Sequence, residues 1–110
     1  MNRDSIITGK DHSIQIDEWW LSPARSQKVH NHSPDGFSWG YGGSGPSQLA
    51  LALLLEVTDE GTAVANYQAF KFDVIAGLDE IFTLNARVIY DWLEKNVKLP
   101  YLVDEGGKNV

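Results

Sequence analysis

Phe37-Ser-Trp-Gly-Tyr-Gly-Gly-Ser-Gly-Pro46, continued by Ser47-Gln-Leu-Ala-Leu-Ala-Leu-Leu-Leu55, is the stretch whose reading decides the fold. Phe37, Trp39 and Tyr41 alternate with Ser38 and Gly40, which predicts a strand with its aromatics on one face. Gly42-Gly-Ser-Gly45 breaks that strand, and glycine suits a tight turn with positive φ. Ser44 or Ser47 is placed to cap the helix that follows, and Pro46 suits its first turn. Leucines at 49, 51, 53, 54 and 55 point to several sides of this helix, which should run to about Val57. A short helix apolar all round belongs at the centre of a fold, covered by other elements.

Toward the N-terminus, Ile6-Ile-Thr8 and the alternating Ile14 and Ile16 predict two strands around a turn at Gly9-Lys-Asp11. Trp19-Trp-Leu21 follows, and Pro23 ends regular pairing. Ser26 to Ser33 reads as another strand, joined through the Ser33-Pro-Asp-Gly36 turn to Phe37–Tyr41 as a hairpin. Toward the C-terminus, Thr58-Asp-Glu-Gly61 is a turn and cap. A helix over about Thr62 to Ala76 carries the stripe Ala63, Tyr67, Phe70, Val74 and Leu78. Ile81-Phe-Thr83 leads into a third helix capped by Thr83 or Asn85, with Ile89, Leu93 and Val97 inward. Leu99 to Val103 is expected to dock as an extended segment, and residues 104–110 to fray. The expected fold is α+β: one domain over 1–110, an antiparallel sheet of three to five strands packed on one face by about three helices.

The chain has 110 residues, 43% of them hydrophobic, and no cysteine. That length can bury roughly 60–70% of the unfolded surface, so no disulfide or metal is needed for folding. Thiol catalysis and thiolate zinc sites are excluded. The formal charge of -6 repels nucleic acid and anionic lipid. No signal-like or membrane-length apolar run is present, so the expected location is cytoplasmic.

Candidate chemistry gathers in two places. Gly43, Ser44, Gly45 and Ser47 lie where a strand meets a helix, and amides there can hold an anion. The turn is neither a Walker A loop nor a dinucleotide fingerprint. His30 and His32, two apart, share one face of an extended chain, and Asp35 follows. With the glycine turn they form a candidate ligand site, although no metal-ligand spacing is complete. Ser44 lacks the full Gly-x-Ser-x-Gly elbow, so a triad with His32 and Asp35 has little support. The second place is Trp19-Trp20: adjacent residues of one strand cannot both point inward, and exposed tryptophan is an interface anchor.

The block from His32 to Leu53, HSPDGFSWGYGGSGPSQLALAL, resembles a family of small uncharacterised proteins of bacteria, phages and mobile elements. The likeness extends loosely to Tyr67, Phe70 and Lys71, and to Ile89 and Trp92. The resemblance implies a shared turn element and an accessory role, and brings no established activity. The expectation is a non-catalytic protein-interaction or accessory protein with a protein partner or a second copy of itself. The alternative is a small anion- or nucleotide-binding domain, with or without enzymatic activity, using the Gly42–Ser47 turn. No cofactor, no nucleic acid and no membrane is expected.

Overall fold

The computed structural model describes residues 1–97. Four strands, β1 (Ile6–Lys10), β2 (Ser13–Ile16), β3 (Trp19–Trp20) and β4 (Phe82–Asn85), form one antiparallel sheet in the order β3-β2-β1-β4. The helices are α1 (Ala24–Val29), α2 (Ser44–Val57), α3 (Glu60–Asp73) and α4 (Arg87–Asn96), with a 3-10 turn at Ile75–Gly77. This is the expected α+β class.

The sheet is two-faced because strand side chains alternate. Ile7 pairs with Ile16 and Gly9 with Ile14, and all three isoleucines are buried. Phe82 pairs with Gly9 and lies over it, filling the space a Cβ at Gly9 would need. Gly9 therefore stays inside the strand, and the turn falls at Asp11 and His12 instead. Both have positive φ, 50° and 63°, as a two-residue hairpin turn requires. Thr8, Gln15 and Thr83 occupy the opposite face.

Helix α2 is buried continuously from Gly45 to Leu55. Its leucines join Ile7, Ile14 and Ile16 in one core, closed by Phe70 of α3 and Ile89 and Leu93 of α4. A helix apolar on every side has no solvent face to offer, so its central position follows from its composition. Helix α3 starts at Asp59, whose carboxylate accepts from the Thr62 amide at 2.8 Å. Its inward stripe is Ala63, Tyr67 and Phe70. The ring of Phe70 meets Trp92 edge-on at 5.1 Å.

Several local expectations are corrected. Ser26 to Ser33 is not a strand: residues 24–29 are helical, begun at Pro23 and held by the Ser26 hydroxyl donating to Pro23 O at 2.9 Å. One apolar residue, Val29, is too little to impose strand periodicity. The Ser33–Gly36 turn forms, with Gly36 N donating to Ser33 O at 3.1 Å, but it joins no hairpin. Phe37 to Tyr41 is irregular, because Gly40 takes φ +87° and gives its amide to Ile75 O. Phe37 is buried, Trp39 half-buried and Tyr41 exposed, so the three do not share one face. Ile81 to Thr83 does not open a helix: Phe82 and Thr83 begin β4, and the Asn85 side chain then accepts from Arg87 N at 2.8 Å. The expectations for Leu99–Val103 and 104–110 fall outside the described residues.

Candidate functional site

Gln48 organises the first candidate region. It has no exposed surface, and all of its polar capacity is used. Its Nε2 donates to Ser26 Oγ at 2.9 Å and His30 O at 3.1 Å, while Oε1 accepts from His32 N at 2.8 Å and Ser33 N at 3.0 Å. A buried amide satisfied on both ends fixes the chain around it. Here it fastens the His30–Ser33 loop to α2.

The loop brings His30 and His32 together, ring on ring at 4.0 Å and 9°. They share a face as expected, although no strand holds them. His32 Nε2 lies in hydrogen-bonding contact with the Tyr67 hydroxyl of α3. Burial, then the nearby charges of His30 and Lys71, hold the His32 pKa below its ordinary value. Asp35 does not join them. It is exposed in the Ser33–Gly36 turn and lines a shallow hollow with His12, Ser38 and Tyr41. Among the described residues no three His, Cys, Asp or Glu side chains are grouped to hold a metal.

The glycine turn owes its glycines to close approach rather than to positive φ. A Cβ at Gly42 would meet Phe72, one at Gly43 the Tyr41 ring, and one at Gly45 the Ser38 side chain. The N-cap of α2 is Gly43, with φ -124° and no side-chain cap, so neither Ser44 nor Ser47 caps the helix. Ser44 is exposed. Ser47 is buried and donates its hydroxyl to Gln68 Oε1 of α3 at 3.2 Å. Sequence reasoning missed Lys71, buried on α3 near this cluster. Its signal was available: a lysine four residues after Tyr67 lies on that residue's buried face.

The second region is the β3 edge. Two residue pairs, Gln15 with Trp20 and Ile16 with Trp19, attach it to β2. The tryptophans are 42% and 65% exposed. Trp20 and the 65%-exposed Ile81 flank a shallow groove of about 420 Å³ across the outer sheet face, floored by Thr8, Gln15 and Thr83. The other two tryptophans are differently placed. Trp39 donates its indole N–H to the carbonyls of Asp79 and Glu80 at 2.9 and 3.1 Å, and Trp92 donates to Asp73 Oδ2 at 2.8 Å.

Fold and candidate sites define a small α+β domain, a four-stranded antiparallel sheet with one face built into a helical core and the other uncovered among the described residues. The chain belongs to the family of unknown function DUF6166, whose model matches residues 5–95 and so includes both candidate regions. No curated protein and no solved structure matches the chain.

Proposed function

We propose that this chain is a non-catalytic protein-interaction module, an accessory protein that works in the cytoplasm. It binds a protein partner through Trp19, Trp20 and the outer face of the sheet. The observation that carries this reading is the exposure of two adjacent tryptophans on a two-residue edge strand, beside a groove closed at its far side by exposed Ile81. Water gains nothing from such surface, and indoles are strong interface anchors. The groove itself carries one charge of each sign, Lys10 and Asp11, with Glu18 next to Trp19 and Glu80 next to Ile81 in the chain. The complementary partner surface is an apolar ridge on a protein of net positive charge. Two copies, each with a net charge of -6, repel one another, so a different protein is favoured over self-association. The net charge of -6 argues against nucleic acid and anionic membrane as partners. No helix among the described residues is long and apolar enough to cross a membrane. The resemblance to small proteins of bacteria, phages and mobile elements supports an accessory role.

Native mass spectrometry of the protein captured from its own cell extract tests this reading, with Trp20→Ala captured in parallel. A defined complex with the parent protein, lost in the folded variant, is the expected result. A bare monomer in both samples, or equal capture by both, refutes it.

A further inference from the structure

Lys71 is 6% exposed, yet among the described residues its ammonium has no carboxylate and no hydrogen-bond acceptor. Its Nζ lies 4.1 Å from the centre of the Phe72 ring, which attracts the charge without neutralising it. Buried lysines are normally paired, because withdrawing an ammonium from water is costly.

The register of α2 against α3 shows where Lys71 lies. Ser47 bonds Gln68 across the two helices, and the two-residue link Thr58-Asp59 makes them antiparallel. Ser44, three residues before Ser47, is therefore level with Lys71, three residues after Gln68. The close approach of Phe72 to Gly42 agrees with this register. Lys71 also lies on the Tyr67 face of α3, the face turned to His32 and so to the loop that Gln48 fastens.

At that level lies the positive end of α2, exposed at Ser44. Gly43 supplies no side-chain cap, Pro46 has no N–H, and Ser47 N already donates to Gly43 O at 3.0 Å. The leading amides of Ser44 and Gly45 have no acceptor among the described residues. A helix start with two free amides and an exposed hydroxyl thus lies level with a buried ammonium that lacks a counter-charge among the described residues. The stacked His30 and His32 add nitrogen groups on the same side, and the Lys71 charge reaches His32.

We propose that the start of α2 and Lys71 form a binding site for a phosphate group: the Ser44 and Gly45 amides and the Ser44 hydroxyl donate to its oxygens, and Lys71 balances its charge. A tetrahedral oxyanion presents oxygens to the helix end and to the side chain at once, which a planar carboxylate does less well. The phosphate is either free or the head of a small phosphomonoester. This site is separate from the tryptophan edge and stands whether or not that edge binds a partner.

The test is a titration of the ¹⁵N-labelled full chain with sodium phosphate at constant ionic strength, read from the amide spectrum. Saturable shifts at Ser44 and Gly45 are expected. Lys71→Met should weaken binding roughly tenfold or more, the loss of one charge-assisted contact. Ser44→Pro removes an amide and the hydroxyl at a helix position where proline is well tolerated, so it should abolish binding in a folded protein. It carries the test if Lys71→Met does not fold. A parallel titration with a nucleoside monophosphate separates the two sources: tighter binding identifies a phosphomonoester, and equal binding identifies free phosphate. Shifts that sodium chloride reproduces, shifts confined to other residues, or undiminished affinity in the folded variants overturn the proposal.

Discussion

Gln48 lies at the centre of the molecule with no exposed surface and four hydrogen bonds, whereas Trp20 lies on the sheet edge with 65% of its surface in solvent. A polar side chain is inside and a large apolar one outside, each against its ordinary preference. The two departures have different consequences. Gln48 replaces backbone pairing: it supplies partners for a loop that has no ladder of its own. The backbone of Trp20 pairs with β2, but its indole makes no hydrogen bond among the described residues. A misplaced side chain with every polar group bonded, as in Gln48, is structural, while one with no hydrogen bond among the described residues, as in Trp20, is available for binding.

Gln48→Ala should be the most damaging change. It opens a cavity in the core and removes the Gln48 partner of the His30 carbonyl and of the His32 and Ser33 amides. The cost expected from those two effects is about 3–5 kcal/mol, measured as a drop in the urea midpoint. A loss below about 1 kcal/mol would remove the structural role argued from the bond pattern. Phe37→Ala should cost a similar amount, because that ring is 4% exposed, about 3–5 kcal/mol. Trp39→Ala should cost about 2 kcal/mol, since its ring is half-buried and its indole N–H bonds two carbonyls. Trp20→Ala should change stability by no more than about 0.5 kcal/mol while removing partner capture, which separates binding from folding.

A smaller effect concerns pH. The folded-state pKa of His32 is depressed, so the unfolded chain binds the proton more readily. Its contribution is fully present above the ordinary value of 6.5 and is lost as pH falls below it. Asp17 is lowered first by the Ile6 amide and Asp59 first by the Thr62 amide, so their contributions are lost in a second acid step, below the ordinary value of 3.8. Urea midpoints measured across this range should show both steps, and His32→Gln should erase the first. An unchanged first step in that variant would assign it to another group.

The sequence alone determined the fold class, the central place of the Leu49–Leu55 helix and the Tyr67–Phe70 face of α3. Those follow from local composition and periodicity, which act over one or two turns. The stacking of His30 on His32 was half legible: the spacing put them together, but not on the helix–loop junction that Gln48 builds. The strand expected at Phe37–Tyr41 failed because a positive φ at Gly40 and its bond to Ile75 depend on chain 35 residues away. Strand β4 was missed for a related reason. Four residues become a strand only when β1 lies beside them to take their amides and carbonyls. Tertiary structure likewise decided that Asp35 stands apart from the histidines and that Lys71 stands level with Ser44. Helix periodicity is a property of neighbours along the chain, whereas pairing, register and the meeting of charges belong to segments that only folding brings together.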